Sequence, residues 1–332
     1  MKDWTLPELL QLSGSYWASC ALQAAVQLDL FTALAEGPLT GEQLAVRLGC
    51  DQRALDMLAT ALAALGFLER RGEAVAATPG ALNYLARTSP EYIGFIILHH
   101  AHIMPGWVSL AQSVRLGRPA LEKIYFQNDE DEEREAFLMG MFNVARGQAA
   151  TVAKALDLAG RSRLIDVGGG PGTYAVQFCL GQPGLRALVF DQPATEPFAR
   201  EVAARYGLSD RVDFMGGDFL RDELPKGQDV AWLSQVLHGE SPENAARLVE
   251  KAAASLNPGG LLAVQEFVLD NERSGPAHSA LFSLNMLVGT KGGQAYTLDE
   301  IRAMLEQAGA RDVRTLEADL PQGCRIVVGT LG

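Results

Sequence analysis

Through the first third of the chain, apolar residues recur at helical spacing. Leu22, Ala25, Val26 and Leu30 fall on one helix face, and so do Leu55, Leu58, Leu62 and Leu65. Thr40 followed by Gln43 has the pattern of a capping box and predicts a helix from Gly41 to Leu48. After a turn at Gly49, a second helix is expected from Gln52 to Leu65. The stretch Leu68 to Ala77, centred on Arg71-Gly72, predicts a short hairpin. Helix, turn, helix and hairpin together predict a winged helix-turn-helix inside a mainly α domain over residues 1–120. Residues 121–150 read as connecting helices, with the acidic run Asn128 to Glu135 solvating a helix start.

From Arg161 the period changes to alternating strands and helices. Strands are expected at Leu164 to Val167, Ala187 to Phe190, Arg211 to Met215, Val230 to Val236, Leu261 to Phe267, Val313 to Leu316 and Arg325 to Thr330. Between them lie the helices Thr173 to Leu180 and Glu196 to Tyr206. A third follows Ser241 as cap and Pro242 as first residue. Thr297 and Glu300 form a further capping-box pattern. This alternation predicts an α/β domain over residues 151–332: a doubly wound, mostly parallel Rossmann-like sheet with helices on both faces. Ligands in such sheets bind beyond the carboxyl ends of the strands, so chemistry is sought there.

Charge changes the reading of the amino-terminal half. The chain has 28 basic and 40 acidic residues in 332, a formal net charge of -12, and so has no general attraction for phosphate backbones or anionic lipid. The would-be recognition helix, Asp51 to Gly66, carries Arg53 against Asp51 and Asp56 and is otherwise largely Ala, Leu, Met and Thr. A major-groove reader needs side chains that reach base edges and phosphates. The helix is therefore expected to be buried in subunit packing, in a homodimer without nucleic acid or membrane as partner. Cys20, Cys50, Cys179 and Cys324 are scattered, with no C-x-x-C pair, and are expected to be reduced and mostly buried. Met1 to Leu10 lacks an apolar signal core, and runs such as Ala61 to Leu68 are too short to span a bilayer. A cytoplasmic location is the expectation.

The strongest local motif is Asp166-Val167-Gly168-Gly169-Gly170-Pro171-Gly172, which follows a strand and opens a helix. Glycines at such a bend let the backbone turn tightly and approach a ligand closely. Asp191 ends the next strand, where a carboxylate can accept both hydroxyls of a ribose. Asp218 follows the third, with Phe219 beside it as an apolar face for an adenine. A nicotinamide site also needs glycines and an acid. However, a dinucleotide fingerprint starting at Gly168 requires glycine or alanine where Thr173 stands, and Asp166 would repel a pyrophosphate. S-adenosylmethionine has no phosphate and carries sulfonium and ammonium cations, so an acid is favourable there. The rival reading is a glycine turn that only packs helix on strand.

His238 lies just beyond the fourth of these strands, where a transferable methyl should point. Methyl transfer to an alcohol or phenol needs alignment and removal of a proton, and an imidazole suits the second task. Glu266, at the end of the following strand, is placed to hydrogen-bond the ring. A rim histidine with a structural hydrogen bond is the alternative.

These residues, with V-F-D-Q-P, G-G-D-F, L-S-Q-V-L-H, N-P-G-G and Q-E-F-V-L-D, resemble the small-molecule O-methyltransferases that include caffeate, hydroxyindole and bacterial polyketide or pigment enzymes. The similarity runs over nearly the whole chain. It implies an amino-terminal winged-helix dimerisation domain and a class I methyltransferase domain. It also implies cofactor contacts from Gly168, Asp191, Asp218 and Phe219, a base at His238 and an acidic support at Glu266. Asp166, Gly170 and Ser234 complete the expected cofactor set. Three positions depart from the family pattern. A second supporting glutamate is here Ala295, a cofactor-contacting lysine is Ser234, and the Asp-Trp after the histidine is Gly239-Glu240. The resemblance also places the acceptor among Trp107, Met139, Phe142, Asn143, Asn285 and Met286, each of which reads equally as ordinary core. His99, His100 and His102 have no acid or cysteine at ligand spacing, and no metal is expected. The expected activity is methylation of a hydroxyl on a small aromatic or polycyclic molecule. The alternatives are N- or C-methylation, non-methylating chemistry on the same fold, and a winged-helix transcription regulator.

Overall fold

The computed structural model describes residues 3–121 and 131–332, so the first three residues of the acidic run at 128–135 lie outside the described residues. The chain divides into two compact units, Met1–His102 with Glu135–Asn143, and Ile103–Arg134 with Val144–Gly332.

In the first unit the expected helices and hairpin are present. Thr40 and Gln43 cap each other at the start of helix Gly41–Leu48, which ends at Gly49 in the left-handed region with φ 64°. Asp51 caps Gln52–Ala64 through the Ala54 amide. Strand β1 (Leu39–Thr40) and the hairpin β2 (Leu68–Arg71) and β3 (Ala74–Ala77) form a small antiparallel sheet in the order β1-β3-β2. Leu30, Phe31, Leu44, Leu55 and Leu62 centre the core beneath it.

Two expectations change, the extent of one helix and the burial of the cysteines. The helix bearing Leu22, Ala25 and Val26 stops at Gln27, because Asp29 turns left-handed (φ 55°) and starts a separate turn, Leu30–Ala33. In helix Gln52–Ala64, Leu55, Ala59 and Leu62 are covered within the chain, whereas Met57 is 62% exposed, on the face expected to pack against a second subunit. Helix Leu6–Gly14 buries nothing, and with Tyr16–Gln27 it leaves Leu6, Leu10, Leu12, Tyr16 and Trp17 exposed. Cys20 is exposed on the second of these helices and Cys50 is half-buried, so only Cys179 and Cys324 are buried; all four thiols are free.

The second unit holds seven strands: β4 (Arg163–Val167), β5 (Arg186–Asp191), β6 (Val212–Gly216), β7 (Gln228–Ser234), β8 (Leu256–Phe267), β9 (Ala310–Leu316) and β10 (Cys324–Leu331). Their order is β6-β5-β4-β7-β8-β10-β9, and only β10 runs against its neighbours. From β4 the chain first builds outward to β6, then returns to add β7 and β8 on the other side. The reversal therefore falls between β4 and β7, where a doubly wound sheet opens its ligand crevice. Helix Pro242–Ala254 shows why the pattern was readable. Ser241 caps it, worth about 1 kcal/mol, and it lays Ala245, Leu248, Val249 and Ala252 into the core. Among the described residues no helix is long and apolar enough to cross a membrane.

The fourth sheet strand was expected to run to Val236 but ends at Ser234. Gln235 adopts φ 56°, and Leu237–Gly239 form a single 3-10 turn. A left-handed non-glycine residue costs about 1–2 kcal/mol and breaks the ladder. His238 therefore lies on a turn folded back over the sheet rim, not on a simple strand extension.

Candidate active site

The carboxyl ends of β6, β5, β4, β7 and β8 carry, in that order, Asp218, Asp191, the glycine loop, the His238 turn and Glu266. Gly168, Gly170 and Gly172 all have positive φ, at 67°, 54° and 73°. A Cβ on Gly168 would collide with the Val236 side chain and touch Phe219. The loop is therefore packed directly against the turn that bears His238.

Asp191 shapes this loop. Its Oδ2 accepts from the Gly170 amide at 2.8 Å, and its Oδ1 accepts from the Gln192 amide at 2.7 Å and the Thr195 hydroxyl at 3.1 Å. Burial raises its pKa despite these bonds. Asp166 is 1% exposed and, among the described residues, its carboxyl has no side-chain hydrogen-bond partner, only the Ala175 backbone close by. Burial pushes its carboxyl up to about 7. An acid held this way favours a cation beside it, since the Ala175 backbone offsets only part of what burial costs its ionised form. Asp218 is less enclosed: its Oδ1 accepts from the Leu220 amide at 2.9 Å and its Oδ2 lies 3.3 Å from the Arg221 guanidinium. Phe219 is half-buried, and Lys251 holds its carbonyl. The Ser234 hydroxyl donates to Gln265 Oε1 at 3.3 Å.

Glu266 is 1% exposed and organises the turn. Its Oε1 accepts from the amides of Val236 (2.9 Å), Leu237 (2.8 Å) and His238 (3.3 Å), and its Oε2 lies 2.7 Å from His238 Nδ1. A carboxylate at Glu266 can only accept, so Nδ1 is the donor in this contact. His238 Nε2 is then left with its lone pair and no partner among the described residues. The Phe282 ring meets the imidazole edge to face at 4.7 Å.

Sequence reasoning missed Phe282, Gln235, Gln265 and Cys324. Phe282 shares a helix, Ala277–Gly289, with Asn285 and Met286 at spacings of three and four, a periodicity that would have found it. The others show no such signal, because their meeting depends on strand order.

Of the acceptor candidates, Trp107 and Asn285 meet: the indole N–H donates to Asn285 Oδ1 at 2.8 Å. Met286 is buried. Met139, Phe142 and Asn143 belong to the first unit, where Met139 and Phe142 are buried and Asn143 donates to the Tyr92 carbonyl at 2.9 Å. His99 is buried, with a pKa pushed down to about 3 by burial. Among the described residues no group of three or more histidine, cysteine or acidic side chains is placed to hold a metal ion. Ala295 is fully buried, and its amide donates to the Ser283 hydroxyl at 3.1 Å.

Comparison with known proteins accords with this geometry. A model of the O-methyltransferase domain matches residues 107–311, and one of the O-methyltransferase dimerisation domain matches residues 10–87. The chain is 34% identical over 325 residues to 3-hydroxy-5-methyl-1-naphthoate 3-O-methyltransferase of Streptomyces sahachiroi, covering 97% of this chain and 94% of that protein. It is 33% identical over 311 residues to the N,N-dimethyltransferase OxyT of Streptomyces rimosus, covering 91% and 90%. The structure of human N-acetylserotonin methyltransferase in complex with S-adenosylmethionine aligns with a TM-score of 0.87 at 28% identity, covering 100% of this chain and 99% of that one.

Proposed function

This chain belongs to the O-methyltransferase family, and on that premise we propose that His238 is the base that deprotonates a hydroxyl of a small aromatic or polycyclic acceptor for methylation. The enzyme is S-adenosylmethionine-dependent. S-adenosylmethionine supplies a methyl group already activated on a sulfonium. The residues present fit it: Asp166 offers a buried, little-compensated carboxylate to a cation, and the glycine bend leaves room for close approach. Gly168 and Gly170 admit the ligand to the backbone, Asp191 and Asp218 accept its hydroxyl and amino hydrogens, and Phe219 covers its base. Ser234 stands at the β7 rim beside it.

The observation that carries the base assignment is the imidazole pinned through Nδ1 by Glu266, on a turn whose Val236 packs against the glycine loop, with Nε2 left without a partner among the described residues. Glu266 stabilises the imidazolium once the proton has moved, and Phe282 fixes the ring plane. Trp107, Asn285 and Met286 supply the acceptor's surroundings in the second unit. The molecule works as a homodimer assembled through residues 10–87, in the reducing cytoplasm where its four thiols stay free.

Incubation with methyl-labelled S-adenosylmethionine and a panel of hydroxynaphthoates, hydroxyindoles and aromatic amines tests this reading. Label on oxygen is the expected result. Label on nitrogen alone would favour the second reading, N-methylation, which the relative named as an N,N-dimethyltransferase supports.

A further inference from the structure

We propose that Cys324, with the side-chain amides of Gln235 and Gln265, forms a second tether that positions the base-bearing turn, acting on His238 through the backbone of Gln235. The inference rests on His238 being the base. The turn leaves β7 through Gln235 at φ 56°, a conformation that a glutamine side chain does nothing to favour. Neighbouring groups must hold it, and two bonds do so. The Gln235 amide N–H donates to the Gln265 carbonyl at 2.9 Å, and its Nε2 donates to Cys324 Sγ at 3.4 Å.

The same sulfur accepts from Gln265 Nε2 at 3.1 Å, and Gln265 Oε1 in turn accepts from Ser234 Oγ. The connection Ser234–Gln265–Cys324–Gln235 therefore starts on β7, crosses β8 to β10, and returns to the residue where the turn begins. Gln265 and Cys324 are both fully buried, so water does not compete for these bonds. Glu266 grips the amides of residues 236, 237 and 238 but makes no bond to Gln235. The carboxylate fixes the ring; the thiol fixes where the turn leaves the strand.

The residue type matters. Two amide donors converge on one acceptor, and a thiol takes both without charge. A carboxylate there would place a second anion beside Glu266, while an aliphatic side chain would leave both amides unpaired in a dry interior. Burial also pushes the thiol up to about 11, so it stays protonated and unreactive.

The test compares full-length wild type with Cys324→Val, Cys324→Ser and Gln235→Gly. Cys324→Val keeps the volume and removes the acceptor, Cys324→Ser keeps an acceptor, and Gln235→Gly removes the side-chain tether without straining the backbone. The readouts are the ring 15N resonances of His238, adenosylhomocysteine affinity, and kcat and KM with a hydroxynaphthoate acceptor. In Cys324→Val and Gln235→Gly the His238 ring signals should shift and kcat fall about tenfold, with adenosylhomocysteine affinity within about twofold. Cys324→Ser should resemble wild type in all three. Unshifted His238 signals in the valine and glycine variants would overturn the proposal, whether or not turnover fell. Turnover that survives His238→Ala would instead remove the base assignment, leaving the ring signals to judge the tether alone.

Discussion

Glu266 is a carboxylate with almost no solvent, and it is tolerable only because its two oxygens meet three backbone amides and an imidazole. Replacing it with glutamine introduces an amide N–H that faces donors. Glu266→Gln should therefore lower stability by about 2–3 kcal/mol and depress kcat more than it changes cofactor affinity; denaturant unfolding and steady-state kinetics check this. Asp166 gives a pH signature. Its folded-state pKa is raised to about 7, so the unliganded fold holds the proton well above the ordinary carboxylate range. The unfolded chain releases that proton first, so this group's contribution to stability falls as pH rises toward 7 and levels off above it. A bound cation favours the ionised form. Affinity for S-adenosylmethionine should then rise between about pH 5.5 and 7.5 with release of a proton, and Asp166→Asn should flatten that slope. Calorimetry in buffers of different ionisation enthalpy would show either outcome.

At the scale of elements, the site is a contact between two turns. The glycine bend after β4 and the 3-10 turn after β7 touch where Gly168 meets Val236. A methyl group on residue 168 has to displace the base turn and also occupy a left-handed conformation. Gly168→Ala should therefore weaken cofactor binding and slow transfer together, and equal loss in affinity and kcat would be read by calorimetry and single-turnover kinetics. Much of this was legible in the sequence. The capping pairs Thr40/Gln43 and Thr297/Glu300, the Ser241-Pro242 helix start and the acids at strand ends all sit where local pattern placed them. The pairing of His238 with Glu266 was also anticipated. What local pattern could not show was the left-handed Gln235, because the apolar run Val230 to Leu233 with Val236 reads as one strand while the hydrogen bonds that end the strand come from Glu266 and Cys324. Those partners are neighbours only once β8 and β10 pair antiparallel.

At the scale of the whole molecule, the first two helices show apolar residues that this chain does not cover. Leu6, Leu10, Leu12, Tyr16 and Trp17 all lie more than half exposed, which is costly for a protein that stays monomeric. Much of this surface lies within the stretch matched by the dimerisation domain. Wild type should sediment as a dimer, and Leu10→Asp with Trp17→Asp should give monomers; a monomeric wild type would contradict the homodimer. The account as a whole turns on a cofactor site and a base that can be separated. The most direct measurement is single-turnover transfer of labelled methyl by wild type and His238→Ala, each shown by calorimetry to bind adenosylhomocysteine. The account predicts equal affinity and a fall in transfer of roughly a hundredfold or more. Equal affinity with undiminished transfer would contradict it.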